Sequence, residues 1–107
     1  MSTYTRGVKG RTPEIHNVTM TVADTEYSQE LPYRCLKYLI HTRDESEFRL
    51  AFETGIVAVP AGEYFTVPQG TRYWEDGVNN ENVAGSLTTL YFASDSAGKV
   101  IEIIVWT

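Results

Sequence analysis

Residues 86 to 106 constrain this chain more than any other stretch. The run Ser86 to Ala93 (SLTTLYFA) and the run Val100 to Trp106 (VIEIIVW) are rich in β-branched and aromatic residues, hold no proline and are separated by a polar turn over Ser94 to Lys99. Such a pair reads as a β-hairpin. Side chains alternate along a strand, so Ile101, Ile103 and Val105 share one face, while Val100, Glu102, Ile104 and Trp106 share the other. Both faces are then largely apolar. A strand of this kind is either central in a sandwich that has extra cover or pressed against another molecule. With only Thr107 after Trp106, no cover is expected from its C-terminal side.

A chain of 107 residues is expected to form one domain with one modest core. No apolar run approaches the ~20 residues of a membrane helix, and no leader of the basic-then-apolar kind reads at the start, so neither a membrane nor a secretory role is expected. The lone cysteine, Cys35, reads as a small core residue in an apolar run. Charge is divided unevenly. Residues 1 to 13 carry Arg6, Lys9 and Arg11 and no acid, or +3, which leaves −8 on the remainder of a chain whose net charge is −5. An acidic body of that size repels phosphate, so nucleic acid is not an expected partner.

Residues 1–13 are polar, contain two glycines and show no periodicity, and are read as an extended basic arm that a partner surface holds. Residues 14–107 are read as the folded domain. Ile15 to Val22 alternates with His16, Val18, Met20 and Val22 on one side, a half-buried strand. Asp24 to Pro32 reads as a loop or edge strand, and Arg34 to Thr42 as the next strand, ended by a charged tip over Arg43 to Glu47. Phe48, Leu50 and Phe52 are expected to face the core. A short apolar run over Ile56 to Val59 stops at Pro60, and short strands follow over Glu63 to Val67 and Thr71 to Glu75, with turns at Gly55, Gly62 and Gly70 and a long polar loop from Asp76 to Gly85. Seven or eight short strands at roughly ten-residue spacing, without an amphipathic helix, predict an all-β fold: a single antiparallel β-sandwich of jelly-roll or immunoglobulin-like type.

Chemistry leaves little trace. His16 and His41 are the only histidines, and neither stands in a His-x-His, HExxH or Cys-His spacing, so no metal, cofactor or catalytic set is expected. His41 reads as a solvated strand end and His16 as a rim or core histidine. Asp44-Glu45-Ser46-Glu47 lacks the glycine and the bidentate glutamate of a calcium loop. Tyr64, Phe65, Tyr73 and Trp74 fall on two strands expected to be neighbours, where pairing could assemble a platform; by alternation one of Tyr73 and Trp74 faces out. Tyr64, Tyr73 and Trp74 are therefore candidate exposed contacts for a sugar ring or a protein.

The order of Asp24 to Pro32, then Phe48-Arg49-Leu50-Ala51-Phe52-Glu53-Thr54-Gly55, then Tyr64-Phe65-Thr66-Val67-Pro68-Gln69-Gly70, then Thr89 to Ser94 and Val100 to Ile103 with Trp106, resembles small β-sandwich structural proteins of tailed bacteriophage virions. The likeness covers Asp24 to Trp106 and rests on apolar patterns. It implies a capsid decoration or cement protein, made in the host cytoplasm and carried on the virion surface, which binds the major capsid protein as a homotrimer or homodimer. Tyr4, Arg6, Lys9 and Arg11 of the arm are the expected contacts. A tail or head-tail accessory protein and a glycan-binding module on a fibre are the competing expectations.

Overall fold

The computed structural model describes residues 12–59, 62–78 and 87–107. Eight strands follow in order: β1 (Glu14–Met20), β2 (Tyr27–Glu30), β3 (Lys37–Thr42), β4 (Phe48–Ala51), β5 (Phe65–Val67), β6 (Tyr73–Asp76), β7 (Thr89–Ala93) and β8 (Lys99–Trp106). They form two four-stranded antiparallel sheets. The order is β1-β8-β3-β6 in one, here sheet A, and β2-β7-β4-β5 in the other, sheet B. Strand one pairs with eight, two with seven, three with six and four with five. The chain is thus one long hairpin rolled on itself, and the roll is sealed by the additional pairs β3·β8 and β4·β7. That is the order of a jelly roll. Of the two sandwich types the sequence left open, this is the one adopted.

The rolled order corrects the hairpin reading of residues 86 to 106. β7 lies in sheet B and β8 in sheet A, so the turn between them crosses from sheet to sheet. Gly98 makes that corner, with φ +82, and its N–H donates to the Met20 carbonyl at 2.8 Å. A left-handed backbone is cheap for glycine, which has no Cβ to clash with the following carbonyl. Strands this apolar do not need each other as neighbours; each finds an inner face on its own sheet. For the same reason the Tyr64/Phe65 and Tyr73/Trp74 segments are not hydrogen-bonded neighbours, since β5 and β6 belong to opposite sheets.

Between the sheets lie Met20, Leu31, Cys35, Tyr38, Ile40, Phe48, Leu50, Val67, Leu90, Phe92, Ile101, Ile103 and Val105, all buried. Cys35 is in this core as expected, just ahead of β3, and burial raises its thiol pKa above the ordinary value. Tyr38 is fully buried as well, and its hydroxyl donates to Glu75 Oε1 at 3.0 Å. Burial, and then Glu75, push the phenol far above its usual range, so it remains a neutral donor.

Two expected core residues are outside. β1 ends at Met20, which leaves Val22 57% exposed, and β4 ends at Ala51, which leaves Phe52 47% exposed. Beyond Ala51 the chain turns back instead of continuing as a strand, and Val57 packs with Ala51 and Ala93, flanked by Ile56 and Tyr91. The short apolar run over residues 56 to 59 accordingly forms a turn. Glu26 fixes the return. Its carboxylate accepts from Thr54 Oγ1 at 2.7 Å and from the Gly55 N–H at 2.8 Å.

The two faces of β8 give a direct test. Ile103→Ala should cost about 2–5 kcal/mol in urea denaturation, because it opens a void between the sheets. Ile104→Ala, one residue along on the outer face, should cost about 1 kcal/mol or less at low protein concentration. Equal losses would mean that the outer face is also sealed within the monomer.

Candidate interaction surface

β8 runs through the middle of sheet A, paired to β1 on one side and β3 on the other. Its inner residues Ile101, Ile103 and Val105 are fully buried, while Val100, Glu102, Ile104 and Trp106 point away from the core and are half-buried. The register carries this outer row across the sheet. Ile15 stands opposite Ile104, Ile104 opposite Leu39, and Leu39 opposite Trp74, so four apolar side chains cross all four strands at one level. Ile15 is 66% and Trp74 57% exposed at the two ends of that row.

Polar levels bound the row on either side. One holds Asn17, Glu102 and His41, and the other holds Trp106, Lys37 and Asp76. The ammonium of Lys37 sits 4.7 Å from the centre of the Trp106 ring, a cation over a π face. Glu102 accepts from Arg43 Nε at 2.6 Å through Oε2 and meets His41 Nε2 at 3.0 Å through Oε1. The Arg43 hydrogen bond, more than the His41 contact, holds the Glu102 carboxyl below the ordinary carboxylate range. His41 is therefore a half-buried hydrogen-bonding partner of Glu102 on the outer face rather than a solvated strand end. Next to it Lys99 Nζ donates to Asp44 Oδ2 at 2.6 Å, and that bond, with support from Ser46, lowers the Asp44 carboxyl to about 2.

Two shallow depressions interrupt the surface. One, of about 400 Å³, is lined by Ile15, Asn17, Leu39, His41, Glu102 and Ile104 with Ile103 at its floor. The other, of about 310 Å³, lies among Lys37, Leu39, Arg72, Trp74 and Trp106.

Sheet B differs. The middle of its outer side is covered by the chain's own residues, because Arg49 on β4 donates through Nε to the Val57 carbonyl at 2.7 Å and through Nη2 to Asp24 Oδ1 at 2.9 Å, while Ser28, Glu30 and Thr66 on its edge strands stay exposed. The segment after β4 is thereby pinned over Ala51, Ala93 and Tyr91. No described segment covers the outer face of sheet A in this way.

The three candidate aromatics do not form one platform. Trp74 faces outward on sheet A, as alternation requires of one member of its pair. Tyr73 turns inward, with its ring 5.5 Å from Phe65 across the open edge of the sandwich and 6.1 Å from Tyr38. Tyr64 is 40% exposed but precedes β5 in the other sheet. Tyr4, Arg6, Lys9 and Arg11 lie outside the described residues. Sequence reading missed Ile15, Leu39 and Lys37 as surface partners of Trp74 and Trp106, and its one available signal was the two-sided apolarity of residues 100–106. Among the described residues no group of three or more His, Cys, Asp or Glu side chains is placed to hold a metal ion, and no helix is long and apolar enough to cross a membrane. Compared with known proteins, the chain matches no family model, no curated protein and no solved structure.

Glu102 sets a pH dependence for this surface. A carboxyl whose pKa is lower folded than unfolded adds stability above the ordinary carboxylate range, and that contribution is lost as pH falls through the folded value. Carboxyl-carbon NMR titration should place Glu102 below the ordinary glutamate range. Arg43→Ala should move it upward and remove its share of the acid-side loss of stability. An unmoved Glu102 in that variant would show that the 2.6 Å bond does not govern it.

Proposed function

We propose that this protein is a structural component of a tailed-bacteriophage virion, a decoration or cement protein that binds the major capsid protein on the outside of the shell. The observation that carries the reading is the inequality of the two faces. A sandwich whose described residues cover the middle of one outer face and leave an apolar row across the other is suited to completion by assembly. Viral shell proteins also use the jelly roll, and this step is an analogy of fold alone.

The basic arm supplies the docking chemistry in this reading. Tyr4 is the anchor, and Arg6, Lys9 and Arg11 meet acidic patches of the shell, opposite in sign to the −8 that the rest of the chain carries. Single contacts of this kind are weak. Several arms on one symmetric oligomer bind together and hold adjacent shell subunits, because the second arm binds at a high effective concentration once the first is seated.

Quantitative mass spectrometry of purified particles should find on the order of hundreds of copies, in fixed ratio to the major capsid protein, as lattice symmetry requires. About a dozen copies would move the protein to a tail or connector ring, and absence from particles would discard the structural reading. Removal of residues 1–13 should leave thermal unfolding nearly unchanged and abolish binding to shells; retained binding would sink the role of the arm.

One observation favours a second reading. Trp74 and Trp106 flank a depression that also presents Lys37 and Arg72, a combination that can stack on a sugar ring and hydrogen-bond its hydroxyls. A glycan-binding module would lose array binding on Trp74→Ala with folding intact.

A further inference from the structure

The outer face of sheet A has a property beyond its apolarity, which is that it complements itself. We propose that two copies of this chain pack face to face through sheet A, about a two-fold axis that lies between the sheets and runs parallel to their strands along the β8–β3 seam. Such an axis lays β8 over the partner's β3 and keeps each residue at its own level. At the apolar level Ile104 then meets the partner's Leu39 and Ile15 meets the partner's Trp74, because these four form one row in the register. At the next level Glu102 meets the partner's His41. On the other side Trp106 meets the partner's Lys37, which extends to a neighbour the cation–π contact each chain already makes at 4.7 Å.

The alternative two-fold, across the strands, is worse. It lays β8 on β8 and sets Lys37 against the partner's His41 and Trp106 against the partner's Glu102, so cation faces imidazole and carboxylate faces indole. Facing sheets sit ~10 Å apart and twist by about 30°, which keeps the pairing closest at the centre, at Ile104 and Leu39.

Edge-to-edge joining is disfavoured by the same register. Glu14 on β1 stands level with the inward Val105, and Glu75 on β6 with the inward Tyr38. Both edge strands of sheet A thus carry an acid on their inner side, a feature that discourages a further strand from adding there. The face is also modest in size. Four strands ~4.8 Å apart and about six residues long give a plan area on the order of 400 Å² per copy, about 800 Å² for the pair, which falls below the standard range and in the class of weak, transient interfaces. The dimer is therefore a reversible one that forms with rising concentration.

An axis parallel to the strands leaves both copies of Glu14, the first residue of β1, at the same end of the dimer. The pairing stands on the register alone; only its use as a two-armed clamp rests on the capsid reading.

Sedimentation velocity of the purified full-length chain, over a wide concentration series, should show a monomer passing to a dimer. Leu39→Glu should remain a monomer over that series with its melting temperature little changed, since the side chain is on the outer face. An equimolar mixture of Leu39→Cys and Ile104→Cys proteins should give a mixed disulfide dimer under mild oxidation, with Cys35 silent because it is buried. A wild type that is monomeric throughout, together with no mixed disulfide, overturns the proposal, as does a trimer. Ile104→Cys protein linking to itself faster than to Leu39→Cys protein overturns the axis. No virus enters the experiment, so failure of shell binding and failure of dimerisation are read separately.

Discussion

β8 is the strand on which the rest depends. It is hydrogen-bonded along both edges, to β1 over seven residue pairs and to β3 over six, and it is apolar on both faces. Its inner residues close the core against Phe92, Leu90 and Leu50 of the opposite sheet. Without β8, β1 would have no partner in its sheet and β3 would be left with β6 alone. Strands so dependent on a segment at the far end of the chain cannot assemble locally. Only β4 and β5 are joined by a connection within one sheet, so loop-closure entropy is met early and rewarded late, which predisposes such a topology to slow folding.

The sequence was legible where side-chain alternation and punctuation agree. Phe48 and Leu50 alternate with Arg49, and both lie in the core; Tyr38 and Ile40 do likewise on β3. What alternation cannot carry is the identity of the neighbour. Ala93 and Lys99 are joined by a short polar turn with a glycine, and a hairpin and a sheet-to-sheet corner have the same composition there. Long-range complementarity decides between them, since β7 fits between β2 and β4 while β8 fits between β1 and β3. Phe52 failed for a related reason. Its place in the alternation was correct, but Glu26, distant in sequence, holds the Thr54–Gly55 turn and ends the strand one residue earlier.

The candidate surface was legible in part. The apolar outer face of residues 100–106 was visible, as was the outward position of one of Tyr73 and Trp74. That Trp74 shares a level with Ile104 was not, because it depends on the register of β3 against both β6 and β8. The ion pairs show the same limit. Glu102 and Arg43 are 59 residues apart, and nothing near either one announces the 2.6 Å bond between them.

An overall charge of −5 opposes close approach between molecules, yet few of the acids lie on the outer face of sheet A. Exposed acids such as Glu30, Glu45, Glu47, Glu53, Glu63 and Asp95 sit on turns and on sheet B rather than on the outer face of sheet A. That face and its rim carry Lys37, Arg43 and Arg72 against Glu102 and Asp76, so it is nearly balanced. Screening at physiological salt reduces exposed charges beyond ~8 Å to a small effect, so local balance outweighs the net value. The acidic remainder therefore lies away from the apolar row and leaves that row free of like-charge repulsion. One small sandwich can in this way carry a nearly neutral apolar face on one sheet and an acidic surface elsewhere.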